Sequence, residues 1–345
     1  MPTFPPRFFH IWVLLLVSTA GCGGAASPKP STPVKAVVDT KAASKAEPDE
    51  KADATDDEAR PKAEKYDEES AEWAPGKFMV QAVGRVAGAA QRFEQKSNFG
   101  FDEDASCVLG AYLEDGREVT ITRPMRGGAK YMLLGGGSEG IEDLDLALED
   151  ANGKLIKADT MDDAAPVLEV QIPADGKYRI RMSNAKNGTG GGFGVVTVMR
   201  EGGYSIPVAN FVRSFGHTIG KAAQASKLVG QRVKGSTGLV FHAAGEWCFF
   251  GTILAQEEGI GTGGLDLGGP MSVIIAGADE LAQDVDIAVT DTTTNKIVAK
   301  DDDEDAEPVV VVSPEPGHVY KVSASNMKSK GPSLVTMLVL DAEAE

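Results

Sequence analysis

Apolar and polar residues follow two periods along this chain, and each period occurs twice. Phe78, Ala82, Val86, Ala89 and Phe93 recur at helical spacing. Val208, Phe211, Val212, Phe215, Ile219 and Ala222 do the same just after Pro207. These spacings predict two amphipathic helices. Each holds glycines four apart, Gly84/Gly88 and Gly216/Gly220. Glycine costs helix stability, so a repeated pair points to close backbone packing on a sheet, on the other helix or in a dimer. Beyond each helix the period falls to two. Leu144, Leu146 and Leu148 alternate with Asp143, Asp145 and Ala147, and Val285, Ile287 and Val289 alternate around Asp286. Tyr178, Ile180 and Met182 face one way, while Arg179 and Arg181 face the other. Further strands are expected near 118–122, 130–134, 167–172, 195–200, 272–276, 309–312, 319–324 and 334–340. Asn152-Gly153 and the run from Pro173 to Gly176 are turn signals. Short, evenly spaced strands separated by turns predict a mainly β protein, an antiparallel β-sandwich or jelly roll.

The two halves align. Residues 107–150 match 248–291 without a gap at an offset of 141, placing Cys107 on Cys248, Gly110 on Gly251 and Gly136 on Gly277. Glu139 falls on Glu280, and Asp143-x-Asp145 on Asp284-x-Asp286. The offset then slips by one, so that Asp159 meets Asp301, Asp163 meets Asp305 and Asn184 meets Asn326. A repeated residue is expected to serve the fold; one present in a single copy is free for another task. The pattern predicts tandem sandwich units at 76–203 and 204–345, each with its own core and a short leading helix. A signal segment at 1–21 and a tether at 22–75 precede them.

Arg7 and His10 precede the apolar run Ile11 to Val17, and Ser18-Thr19-Ala20-Gly21-Cys22 follows. Basic, apolar and small-residue segments in that order form an export signal, and the apolar run is too short to span a bilayer. Ala-Gly-Cys resembles a bacterial lipoprotein signal, although Thr19 stands where Leu is usual. The resemblance implies lipidation at Cys22. Gly23, in place of the Asp linked to inner-membrane retention, points to the outer membrane. An ordinary secretory signal remains the alternative. From Gly23 to about Pro75 the chain is Ala, Pro, Lys, Asp and Glu with few large apolar residues. Such a segment cannot offset its ordering entropy, so an extended tether is expected.

The chain of 345 residues has a net charge of −17 and three cysteines. The charge argues against nucleic acid, whose phosphates need clustered Lys and Arg, and against electrostatic binding to anionic lipid. The low cysteine count excludes a disulfide scaffold. Cys107 and Cys248 have apolar neighbours and are expected as separate buried thiols rather than a bridge.

Asp143-Leu-Asp-Leu-Ala-Leu-Glu-Asp150, then Gly153, Asp159, Asp162-Asp163, Pro166 and Pro173-x-x-Gly176-x-Tyr178 resemble the bacterial pre-peptidase C-terminal domain. The second half keeps Asp284, Asp286, Asp291, Asp301, Asp305, Pro308, Gly317 and Tyr320, with Thr292-Thr-Thr-Asn295 replacing the Asn-Gly turn. The resemblance covers the β-portions and implies a β-sandwich with accessory or binding work beside secreted proteases; no peptidase domain accompanies it here.

The acidic loops carry the one candidate chemistry. Asp143, Asp145, Asp159 and Asp163, with Asp284, Asp286, Asp301, Asp303 and Asp305, would offer oxygen ligands to a structural calcium ion. The competing reading is favoured: these residues cap turns and keep sheet edges charged. Gly136-Gly-Ser138-Glu-Gly140 fits a nucleophile pattern, yet the segment after it alternates like a strand and Asp279 replaces Ser138 in the repeat. Gly259-Ile-Gly261-Thr-Gly263-Gly264 fits a dinucleotide fingerprint, but no helix follows, so it is read as a loop. His217, His242 and His318 have no repeat counterparts among His residues and match no zinc spacing.

Together these features predict a non-catalytic lipoprotein, held to the envelope membrane through Cys22. It would act as a binding or scaffold module for a protein or polysaccharide, with no cofactor beyond the calcium reading. The alternative is a hydrolase, or a protease-associated accessory protein, with its site between the two units.

Overall fold

Both helices form and run longer than the short elements expected: α1 spans Ala74–Glu94 and α2 spans Val208–Arg232. Pro207, extended at φ −54° and ψ 133°, starts α2 without needing a partner for a backbone N–H. The computed structural model describes residues 73–94, 97–187, 191–267 and 269–344. Cys22, the signal and nearly all of the predicted tether lie outside them.

Nine strands follow each helix. The first set is β1 (Phe99–Phe101), β2 (Val108–Leu113), β3 (Glu118–Met125), β4 (Lys130–Gly137), β5 (Ile141–Asp150), β6 (Leu155–Asp159), β7 (Val167–Gln171), β8 (Gly176–Asn187) and β9 (Gly192–Glu201). The second is β10 (Ser236–Phe241), β11 (Trp247–Leu254), β12 (Glu258–Leu265), β13 (Ser272–Ala278), β14 (Ala282–Asp291), β15 (Lys296–Asp301), β16 (Val309–Val312), β17 (Tyr320–Ser329) and β18 (Ser333–Ala344). All named strand pairs are antiparallel. The mainly β, antiparallel class read from the alternation is the class observed. One local reading is corrected: the Gly259–Gly264 run is not a loop but most of β12.

The strands form one large sheet and two small ones. The order β7-β4-β9-β2-β11-β18-β13-β16 runs through the large sheet, with β1 added to β9 and β10 to β18. That order is a palindrome once each strand is replaced by its repeat equivalent. An approximate two-fold axis therefore passes through the antiparallel β2–β11 pair, where Phe249 faces Gly110 and Gly251 faces Val108. The small sheets, β3-β8-β5-β6 and β12-β17-β14-β15, are equivalent to each other.

The side chains sort into two layers because strand residues alternate in direction. From β4, Tyr131 and Leu133 join the core under the small sheets, while Met132 and Leu134 join the core under the helices. The first core holds Leu144, Leu146 and Leu148 of β5 together with Val285, Ile287 and Val289 of β14. The second holds Met79, Val83 and Val86 of α1 together with Phe211, Phe215 and Ile219 of α2. The molecule is thus three layers deep: helices, large sheet, small sheets.

This architecture corrects the expected division at 203/204. That boundary falls in the connector between β9 and α2, and the elements repeat one for one. The two stretches are nevertheless not separate bodies with separate cores, since β2 and β11 pair across them and both cores contain residues of both. Trp73 adds another tie: its Nε1 donates to the Leu239 carbonyl of β10 at 2.8 Å, fastening the start of the first repeat to the second.

Repeated residues do serve the fold. Asn184 and Asn326, both fully buried, donate to the carbonyls of Leu113 and Leu254 at 3.2 and 2.9 Å. Gly136 and Gly277 lie where the helices cross the sheet. A Cβ there would come within 2.7 Å of the Ala82 carbonyl oxygen or 2.8 Å of the Thr218 amide nitrogen. Three of the four helix glycines do not have the role expected of them, because a Cβ on Gly84, Gly88 or Gly216 meets nothing within 4 Å, while Gly220 is buried. Close approach between helix and sheet is supplied at the sheet glycines Gly136 and Gly277.

Candidate functional site

The acidic loops follow one plan in both repeats. Asp159 accepts from the backbone N–H of Met161 at 3.2 Å and of Val167 at 2.8 Å. Asp301 accepts from Asp303 N–H at 3.3 Å and Val309 N–H at 2.9 Å. Asp163 and Asp305 each cap the amide two residues on, at 2.8 and 2.7 Å. The same bonds at equivalent positions make these carboxylates turn caps. Asp303 is exposed and supplies its amide to Asp301.

Asp143, Asp145, Asp284 and Asp286 point outward from β5 and β14. Burial, then the neighbouring Asp162 and Asp163, raise the Asp143 carboxyl above its usual range. Burial, Glu304 and Asp305 do the same to Asp284, although Lys328 partly opposes them. Asp145 and Asp286 are raised by burial and then by Asp143 and Asp284 respectively. Among the described residues, no three Asp, Glu, His or Cys side chains converge as a metal centre would require. Asp143 Oδ1 and Asp284 Oδ1, at equivalent positions, are buried without a hydrogen-bond partner.

These two groups of carboxylates should respond oppositely to mutation. Asp301→Ala is expected to cost about 1–2 kcal/mol, since it strands two backbone donors. Asp284→Asn is expected to cost nothing, because it relieves repulsion. Urea denaturation of both variants at pH 7 checks this; equal losses would show that the two carboxylates do the same work.

Ser138 is fully buried and its Oγ accepts from Phe193 N–H at 3.0 Å. Its counterpart Asp279 accepts from Leu334 N–H at 3.2 Å. Both therefore brace the same β-strand junction. The cavity beside Trp73, about 340 Å³, is lined by Ala223, Gln224, Ser226, Lys227, Gly230, Gln231 and Thr237, with no carboxylate or His among the described residues of its wall.

Cys107 and Cys248 are buried and unpaired, as expected. They do stand across a two-fold axis, but the register places Cys107 opposite Thr252, four residues from Cys248. That separation is about 13 Å along a strand, against the roughly 7 Å that a disulfide allows. Burial pushes both thiols up to about 12.

The largest buried charges escaped the sequence reading. Asp102, fully buried, lies between Arg123 and Arg200; Arg200 Nε donates to its Oδ1 at 3.0 Å, and Arg123 binds its other oxygen. Arg123 also donates to the Ser106 carbonyl at 3.0 Å, and Arg200 reaches Glu103. In the second repeat the acid and the base exchange places. Met199 pairs with Phe101 where Leu340 pairs with Phe241, so Arg200 is the equivalent of Asp341 and Asp102 of His242. His242, fully buried, bonds Asp341 through Nδ1 at 2.7 Å and Glu246 through Nε2 at 3.1 Å. Ser272 Oγ donates to Asp341 at 2.6 Å, so the hydroxyl meets the carboxylate and not the imidazole. That order lacks the base-to-nucleophile contact of a catalytic triad. Inspecting the repeat for charge-inverted mismatches would have revealed both networks.

Burial by itself would lower the His242 pKa, but the bonds to Asp341 and Glu246 outweigh it and raise it to about 9. A histidine raised in the folded state adds stability that is complete below its unfolded value near 6.5 and lost as pH climbs through 9. The wild type is expected to lose roughly 3 kcal/mol across that window, and His242→Gln to lose much less. Chemical denaturation at pH 6 through 10 tests the slope; parallel profiles for the two proteins would contradict it.

No family model matches the chain, and no curated protein matches it. Among solved structures it is similar to PliG, a periplasmic inhibitor of g-type lysozyme from Aeromonas hydrophila. The match has 16% identity, covers 29% of this chain and 91% of that one, and has a TM-score of 0.22. It is also similar to the M60 catalytic domain with CBM51 domains of ZmpB from Clostridium perfringens, at 8% identity, 71% and 37% coverage and a TM-score of 0.23. The PBSX exported protein XepA matches at 12% identity, 67% and 84% coverage and a TM-score of 0.22. Likeness at this level carries no function across. Among the described residues, no helix is long and apolar enough to cross a membrane.

Proposed function

We propose that this chain is an envelope lipoprotein, tethered through Cys22, whose three-layer body is a non-catalytic binding or scaffold module for a protein or polysaccharide. The observation that carries this reading is the divergence of the two outward sheet faces on one common frame. In the first repeat, Arg181 bridges Glu118 at 3.0 Å and Glu149 at 3.3 Å, and Arg179 adds a second bridge to Glu149, closing the face with an ion-pair ladder. In the second repeat the register puts Gly259, Ser323, Thr290 and Lys321 at the matching places. Residues that hold the frame are kept, as are Asp284 and Asp286 on the outward side of β14, while Gly259, Thr290, Lys321 and Ser323 replace the members of the ion-pair ladder. Such divergence fits surface recognition, which needs a rigid support and a variable face.

Two measurements test the reading. Mass spectrometry of the native N-terminus should find an acylated Cys22, and Cys22→Ser should release the protein from the membrane. Capture from envelope extract and from a glycan array should then depend on the second face, with Ser323→Arg and Gly259→Glu abolishing it. Capture that is indifferent to those changes would move the binding site elsewhere, and turnover of an envelope substrate would refute the non-catalytic reading.

A further inference from the structure

The net charge of −17 conceals a segregation of charge between layers. The α1 sequence contains Lys77, Arg85 and Arg92 and a single acid, its terminal Glu. The α2 sequence contains Arg213, Lys221, Lys227 and Arg232 and no acid at all. Both helices cover the same face of the large sheet, the one opposite the small sheets, so their outward sides lie on one side of the molecule, with the second acidic loop reaching their rim through Glu307. Rim carboxylates take part of this charge: Glu139 pairs with Lys77, Glu280 with Arg213, and Glu307 with Lys221. Arg92, Lys227 and Arg232 are exposed and have no carboxylate partner among the described residues. Lys234, just beyond α2, is exposed too.

The same surface carries aliphatic side chains. Val80 and Val212, at equivalent helix positions, are 44% and 52% exposed, and Leu228 beside Lys227 is 45% exposed. Open space over Gly84 and Gly216 keeps the relief low. A basic face bearing exposed aliphatics is the composition that sits in a headgroup layer, where phosphates meet the cations and the aliphatics enter the acyl boundary. A purely electrostatic partner would leave Val80, Val212 and Leu228 without a role.

We infer that the α1–α2 face docks on an anionic phospholipid surface, independently of any acyl chain on Cys22, and so holds the small sheets away from the membrane. The net charge that argues against anionic lipid is an average over both layers and does not describe the helix face. The inference does not rest on the proposed lipoprotein reading and can fail separately from it.

The test uses the full chain carrying Cys22→Ser and Leu15→Asp, which remove acylation and interrupt the apolar N-terminal run. Binding to vesicles of phosphatidylethanolamine and phosphatidylglycerol is measured by co-sedimentation, with phosphatidylcholine vesicles for comparison. Binding is expected to the anionic vesicles only, and to fade with added salt. Each base near an anionic surface contributes about five-fold, so Arg92→Glu with Lys227→Glu and Arg232→Glu should weaken partitioning at least roughly 100-fold. Asp302→Asn with Glu304→Gln, exposed in the loop after β15, should leave it unchanged. All five positions are at least partly exposed, and matching melting curves will show that the fold survives. Absence of binding to the anionic vesicles, or equal binding by the triple variant, would overturn the inference. So would a triple variant that alters only self-association, which would identify the occupant as the acidic layer of a second copy.

Discussion

Cut at the 203/204 connector, the two halves are expected not to yield two folded monomers. Separation uncovers the edges of β2 and β11, where Val108, Leu109, Phe249 and Phe250 are at most 5% exposed in the intact chain. Burying such a side chain contributes about 2 kcal/mol, so losing half of that from four of them removes about 4 kcal/mol. The ladder bonds between β2 and β11 go as well. A domain's whole margin is only about 5–15 kcal/mol. The first half alone should therefore be largely unfolded, or should pair its β2 edge with that of another copy as it now pairs with β11. Mixing the halves should restore a one-to-one complex with the circular dichroism of the intact chain. Sedimentation equilibrium decides the matter: a stable, monomeric, cooperatively melting fragment of 73–203 would mean that the shared sheet is dispensable.

The sequence disclosed the elements better than their assembly. Alternation around Leu146 in the first repeat and around Ile287 in the second located β5 and β14, because each has one face on a core and one in water. Helical spacing located α1 and α2 for the same reason. β2 and β11 have no such alternation: every residue of Trp247–Leu254 is buried. A strand covered on both faces reads as apolar whether its neighbour belongs to its own repeat or to the other, so the continuous sheet left no signature. The turn-capping Asp residues were legible because they recur. The networks around Asp102 and His242 were not, because matching identities between repeats passes over positions where acid and base have exchanged. The basic helix layer was hidden in a different way, by a net charge summed over regions of opposite sign.

Removal of the Asp102 carboxylate is expected to be the most damaging single change of a charged side chain. Asp102→Ala would leave Arg123, 2% exposed, and Arg200 facing each other with no anion between them. Burial raises the Asp102 carboxyl, while the attraction of Arg123 and the hydrogen bond from Arg200 oppose that rise; taking the anion away deprives both cations of that attraction. Breaking a buried pair in this way costs about 3–5 kcal/mol, because the surviving charge stays desolvated. Glu103 still reaches Arg200, so Arg123 bears most of the loss. Adding Arg123→Met to Asp102→Ala should recover a large part of it, since an apolar side chain of similar length does not need the anion. The double-mutant cycle should give a coupling of about 1–3 kcal/mol. The exposed pair of Arg126 and Asp104 supplies the control: its side chains are 54% and 26% exposed, and Arg126→Ala should change stability by less than about 1 kcal/mol. Urea midpoints at pH 7 measure all four variants. An Asp102→Ala protein within about 1 kcal/mol of wild type, far short of the cost of a broken buried pair, would show that water reaches the two arginines and that the first repeat does not depend on this buried charge.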